Sequence, residues 1–325
     1  MPSEPALSVA LIALDWGTSS LRAYAMSASG AVLAERAAPL GIMQVANGDF
    51  AGALRTCCAD WLAASPQAVL IASGMIGSKQ GWREAPYCAC PADAAAIARA
   101  MATVTLDDGR MLHIVPGVSF VDPVSGVPDV MRGEETQLIG ALPASGSQLA
   151  VLPGTHSKWV WVEEGVIVHF SSWMTGEVYA ALTQHTILGR LMIVDAPHDA
   201  AAFARGVHYG FDAPAQLLSR IFSVRTLGLF GQMDAAALPS YLSGVLIGAE
   251  IGAEIGTEVA TKLGAASGAS TRAESAPITL LGSAQLTQRY AAACVAVGIP
   301  AIAGAQDSAA RGLFRLARAT MLISC

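Results

Sequence analysis

The chain opens on a pattern that few folds accommodate: an apolar run, Val9 to Leu14, breaks at Asp15-Trp16-Gly17-Thr18-Ser19-Ser20 and resumes as Leu21 to Met26. Ser29-Gly30 then turns into Ala31 to Glu35, so strand, small-residue turn, strand, turn, strand follow in order. The pattern returns later. Leu149 to Leu152 leads into Pro153-Gly154-Thr155-His156-Ser157, Lys158 to Glu163 continues as a strand, and Glu163-Glu164-Gly165 turns into Val166 to Phe170. In a dinucleotide fold the glycine turn feeds a helix instead. Twice-repeated strand, turn and strand predicts two α/β units that meet phosphate through backbone N–H groups and hydroxyls.

The remaining periodicity fills in both units. Helices are predicted over Phe50 to Ala64, Asp93 to Ala102, Gly133 to Ala141, Thr175 to Leu191, Ala200 to Leu227, Leu242 to Leu263, Leu286 to Val297 and Ser308 to Ala319. Ala68 to Ala72, Leu112 to Val115 and Ile278 to Gly282 are further strands. Gly248, Gly252 and Gly256 mark a close-packing stripe, since glycine is costly in a helix that nothing approaches. The Pro- and Gly-rich stretch from Pro116 to Pro128 suggests a boundary near 120, giving domains 1–120 and 121–325, with the last helix able to pack back on the first.

Composition narrows the function. Charged residues make up only 14% of 325 and hydrophobic residues 53%, with 32 glycines, which predicts tight helix packing and is compatible with a homodimer. A net charge of -6 without a basic run gives nothing to neutralise a nucleic-acid backbone. The apolar N-terminal run is interrupted by Asp15, which argues against a signal peptide or a membrane span. Six cysteines without zinc-site spacing predict free thiols in a reducing, cytoplasmic setting.

Chemistry concentrates in the turns. Asp15 is the candidate to hold magnesium, directly or through its waters, with Gly17, Thr18 and Ser19 as phosphate donors. In the second turn Gly154 lets backbone approach, and Thr155 and Ser157 supply donors; Lys158 either neutralises charge or points outward. His156 reads as a turn residue, not a metal ligand. The segment Gly74 to Tyr87 has the mix of a ligand-facing loop: Lys79, Arg83 and also Arg132 are candidates for an anionic ligand group, Glu84 for hydroxyls, Trp82 and Tyr87 for a cover or a core anchor. Arg22 is either an anion contact or too far along its strand. Gly282 and Ser283 stand where a nucleotide approaches a helix start, with Gln285 and Arg289 one turn apart behind them. Glu134, Glu135 and Asp129 are the candidate carboxylates for general-base work, although a glutamate at a helix start also suits the helix dipole.

The Asp15 turn, Pro153 to Trp159 and Gly282-Ser283-Ala284 together resemble the actin, hexokinase and hsp70 superfamily. With Gly81 to Tyr87, Arg132 to Gln137 and Met174 to Glu177 in the same order, the chain resembles its 2-dehydro-3-deoxygalactonokinase branch over nearly its whole length. The resemblance implies a two-domain actin/hexokinase-like (ribonuclease H-like) α/β fold with mixed sheets and a nucleotide cleft. It further implies ATP, Mg2+, and phosphorylation of the 6-hydroxyl of a small-molecule sugar acid, 2-dehydro-3-deoxy-D-galactonate. By position against related sugar kinases, Glu134 takes the place of the base. Two departures from the wider superfamily stand out: no Asp leads the second turn, and the base segment carries glutamates where an aspartate is usual. Kinase action on another sugar or sugar acid, and a nonenzymatic ATP-binding regulator, are the competing readings.

Overall fold

The computed structural model describes residues 8–265 and 277–323; Cys325 lies outside them. The chain divides into two units: Met1–Ser147 with Val160–Phe170 and Asp307–Cys325, and Gln148–Trp159 with Ser171–Gln306. The division falls after Ser147, whereas the composition shift lies near 120. The Pro116 to Pro128 stretch holds the strand Gly117–Val121 and the turn into its antiparallel partner Pro128–Met131.

The first unit contains β1 (Leu11–Trp16), β2 (Leu21–Met26), β3 (Val32–Ala38), α1 (Phe50–Ala64), β4 (Val69–Ser73), β5 (Tyr87–Ala89), α2 (Ala94–Arg99), β6 (Ala102–Thr105), β7 (Met111–Ile114), β8 (Gly117–Val121), β9 (Pro128–Met131) and α3 (Glu134–Ala141). Six of these strands form a mixed sheet in the order β3-β2-β1-β4-β7-β6, and β5-β8-β9 form a small one. β1 is central, antiparallel to β2 and parallel to β4, so its side chains are covered on both faces; Leu11, Ile12 and Leu14 are fully buried. Helix α1 lays Phe50, Leu54, Cys58 and Trp61 against this core. Asp49 and Asp93 cap α1 and α2 by accepting from the backbone N–H of Gly52 and Ala96.

Three strands follow, β10 (Ser147–Leu152), β11 (Ser157–Glu163) and β12 (Val166–Trp173), in a second sheet of order β12-β11-β10-β13-β14. The second unit adds α4 (Thr175–His185), α5 (Ala200–Phe211), α6 (Leu217–Arg220), α7 (Ser223–Leu229), α8 (Leu238–Ala265), β13 (Ile278–Leu280), α9 (Ala284–Ala296) and β14 (Ala301–Ala303). The mostly helical stretch expected from Ala200 to Leu227 holds three helices, α5, α6 and α7. Pro214 lacks the N–H that a continuing helix needs, and it instead starts a short 3-10 turn. The glycine stripe on α8 is real but shifted: Cβ atoms at Gly244, Gly248 and Gly252 would run into the backbone of α5, while Gly256 has nothing within 4 Å.

The last helix, α10 (Ser308–Ala319), belongs to the first unit and packs on α3, α2 and β1. Gly312 meets the Thr136 carbonyl and Gly140 meets the Ser308 carbonyl, so the two helices cross with backbone against backbone. Among the described residues no helix is long and apolar enough to cross a membrane.

Candidate active-site elements

In the first unit three chain segments meet at the carboxyl end of β1. Asp15 is its penultimate residue, in register with Arg22 on β2 and Ser73 on β4. β4 ends at Ser73 and is followed by Gly74, whose φ of 90° is a left-handed conformation that favours glycine; a Cβ there would sit 2.9 Å from the Trp16 carbonyl oxygen and 3.7 Å from Asp15 Oδ1. Gly133, with φ 107°, starts α3, and a Cβ there would lie 3.3 Å from the Gly74 Cα. The segments bearing Asp15 and the glutamate pair, far apart in the chain, are thus brought to one corner. Burial raises the Asp15 carboxyl above its ordinary range, and the nearby Arg22 charge opposes that. Gly17 closes the adjoining turn by donating to the Ser20 carbonyl at 2.9 Å, leaving Thr18 and Ser19 exposed.

The two glutamates differ sharply. Glu135 is fully buried, accepting from the Gly133 N–H at 2.7 Å and the Thr136 hydroxyl at 2.9 Å. Burial and then the neighbouring Glu134 push it up to about 8, against the pull of those two donors. Glu134 is half-buried and accepts from the Arg132 N–H at 2.9 Å. Both carboxylates therefore serve the start of α3, and Asp129 accepts from the Val130 N–H at 2.7 Å.

The Glu135 shift has a measurable consequence. The folded chain holds this proton more tightly than the unfolded chain, so the stability it contributes is full below the ordinary carboxylate range and is lost as pH rises through about 8. Urea unfolding of Glu135→Gln across that interval is expected to show a flatter decline than the parent chain. An unchanged slope would assign the decline to the other buried carboxylates.

The loop after β4 is braced rather than loose. Arg132 lies over the Tyr87 ring at 4.4 Å and donates from Nη2 to the Ala85 carbonyl at 3.0 Å, while its Nε and Nη1 are buried without a hydrogen-bond partner. Lys79, Arg83 and Glu84 are exposed. Trp82 stands as a core anchor, stacked on Phe50 at 6.1 Å and edge-on to Trp16 at 6.4 Å, because its indole is wide enough to close the apolar end of the β1 core.

The second unit assembles its own set. Gly176, at the start of α4, packs on the backbone of Gly154 and Thr155, and the Glu177 N–H donates to the Thr155 carbonyl at 3.0 Å. A Cβ on Gly282, whose φ is 125°, would be 3.5 Å from the Pro153 carbonyl oxygen. The turns at 153–156, 174–177 and 282–283 are therefore neighbours. A cavity of about 80 Å³ opens beside them, lined by Gly154, Gly176, Tyr179, Leu286, Arg289 and Tyr290 among others. Gln285 is exposed and does not line it. His156 and Glu177 pair at 2.5 Å on the surface.

Two predicted donors of that turn point into the unit's own interior. Ser157 Oγ donates to the Glu250 carboxylate at 2.9 Å, and Lys158 Nζ donates to Ser172 Oγ, because strand alternation in β11 sends both side chains to covered faces. What the sequence reading missed is Glu250 itself. It is only 1% exposed on α8 and also accepts from Trp159 Nε1 at 2.7 Å, Tyr290 OH at 2.9 Å and Thr175 Oγ1. One turn on, Glu254 accepts from Ser171 Oγ and Trp173 Nε1. The signal was present: two carboxylates four residues apart inside an apolar helix require buried partners.

Magnesium, if held, fits a hard-oxygen position at Asp15, where one carboxylate can serve an ion that keeps most of its waters. Among the described residues no group of three or more His, Cys, Asp or Glu side chains is placed to hold a metal.

Known proteins agree with this architecture. A 2-dehydro-3-deoxygalactonokinase of Escherichia coli strain K12 is 33% identical over 298 residues, covering 92% of this chain and 94% of its own. A Rhizobium meliloti strain 1021 protein, provisionally named 2-dehydro-3-deoxygalactonokinase DgoK1, is 41% identical over 240 residues, 72% of this chain and 77% of that one. A Sinorhizobium meliloti crystal structure, provisionally assigned the same enzyme name, superposes with a TM-score of 0.81 at 37% identity over 95% of this chain and 98% of that one. Residues 15–316 match the family described as 2-keto-3-deoxy-galactonokinase, and the chain belongs to that family of sugar-acid kinases within the actin, hexokinase and hsp70 superfamily.

Proposed function

We propose that the chain transfers the terminal phosphoryl group of ATP to the 6-hydroxyl of 2-dehydro-3-deoxy-D-galactonate. The observation that carries this reading is the corner of the first unit where the segments bearing Asp15, Gly74 and Glu134 meet. Asp15 is assigned to magnesium, and the ion, when bound, would offset charge on the phosphates. Glu134 is assigned as general base: it accepts the proton of the attacking hydroxyl. A neutral Glu135 supports that role, since two adjacent ionised carboxylates repel and the buried one is the costlier to charge. Gly17, Thr18 and Ser19 are assigned to phosphate oxygens in the first unit. In the second, the assignment falls on the backbone of Gly154 and Thr155, with Gly282, Ser283 and Arg289 bordering the nucleotide.

Recognition of the acid is assigned to the loop after β4. Lys79 and Arg83 are its exposed cations, and Arg132 has N–H groups still without acceptors. Supplied with magnesium and ATP, the protein is expected to release ADP only when a suitable acid is present, and fastest with 2-dehydro-3-deoxy-D-galactonate. A coupled assay across 2-dehydro-3-deoxy sugar acids and plain sugars checks it. Turnover confined to another acceptor would reassign the substrate, and nucleotide binding with no turnover on any acceptor would favour the regulator.

A further inference from the structure

We infer that Glu250 is the positioning residue of the nucleotide side of the site, a single buried carboxylate from which the three phosphate-region segments of the second unit are hung. This rests on the kinase reading above. Each of those segments sends at least one donor to the same carboxylate, and the first sends two. Ser157 and Trp159 lie directly after the 153–156 turn, Thr175 opens α4 just before Gly176, and Tyr290 stands on α9 behind the Gly282–Ser283 turn. Tyr290 OH also donates to Ser157 Oγ at 3.2 Å, which links the first and third segments a second time.

The energetics favour this role over simple packing. A carboxylate with no water around it is expensive, and burial indeed raises Glu250 above its ordinary range. Such a group persists where its donors offset the cost, and here they come from three separate elements, β11, α4 and α9. Glu250 also projects from α8, whose glycine face is locked against α5. The anchor is therefore rigid, and the backbone it holds is that of Gly154, Gly176 and the residues around the cavity beside Arg289. Glu250 itself touches no phosphate in this scheme; it acts through the turns.

The test removes one tie at a time in the full chain. Tyr290→Phe and Thr175→Val each delete one donor to Glu250 while keeping the side-chain shape. Each is expected to raise KM for ATP on the order of 10-fold with KM for the sugar acid unchanged and kcat much less affected, since hydrogen bonds to a charged group are the strong ones. Amide exchange of residues 151–157 and 174–178 in the protein without nucleotide should speed up in both variants. Glu250→Gln keeps an acceptor for Trp159 and lets the hydroxyls reverse, so it should be milder than Glu250→Leu. Lower thermal stability with unchanged KM for ATP and unchanged exchange in those segments would overturn the inference. Failure of the kinase reading would show separately, as absent turnover in the parent chain, and exchange alone would then decide the role of Glu250.

Discussion

Glu134→Gln is expected to lower kcat by about 100-fold or more while leaving affinity for ATP nearly intact, the size of effect typical of removing a general base. The substitution is conservative in shape, and its carbonyl oxygen still accepts from the Arg132 N–H that Glu134 now caps, so α3 should start as before. What disappears is the capacity to take a proton. Single-turnover phosphorylation with saturating nucleotide separates the loss of chemistry from any loss of binding. A rate close to that of the parent would move the role to Asp129 or Glu135. Glu135 is the poorer substitute, because its two oxygens are already engaged by Gly133 and Thr136 and the group is fully buried.

Gly312→Ala is expected to destabilise the protein by about 2–3 kcal/mol, the upper range for forcing extra volume into a packed contact. The new methyl would meet the Thr136 carbonyl, which belongs to a helix backbone and cannot rotate away. To relieve the overlap α10 must part from α3, and α3 carries Glu134, so activity should fall together with the melting temperature. Gly256→Ala is the matched control: nothing lies within 4 Å of that position, and alanine is there the better helix former by about 0.5–1 kcal/mol. Thermal melts of the pair check the argument. Equal melting temperatures would show that the crossing yields without cost.

The sequence made the segments of the first unit's candidate site legible as strand ends and helix starts, and left their surroundings obscure. Asp15 and the glutamate pair could be read because each sits at a strand end or helix start that pattern and turn chemistry mark out. Ser157 was read as a phosphate donor, and Lys158 as either neutralising charge or pointing outward, because a turn residue and a strand residue look alike without knowing which face is covered. Trp82 shows the same ambiguity for an aromatic: its neighbours Phe50 and Trp16 come from distant segments, and nothing local announces them. The strands β5, β6, β8, β9 and β14 were not read, whereas the equally short β4, β7 and β13 were, being largely apolar runs. Glu250 escaped for the opposite reason. Its helix is so apolar that the eye follows the glycines.

That the first unit is closed by α10 sets an order of events at the ribosome. Its β1 and α3 emerge early, yet the helix that covers them is translated after the entire second unit. Until then the part of β1 that α10 packs on and the glycine seam of α3 lack their cover, and such surface favours association of the nascent chain. The contacts that finish the unit also join its two extremes in sequence, the kind of distant closure that makes folding slow. The packing of the first unit can therefore be completed only after the second unit has been made.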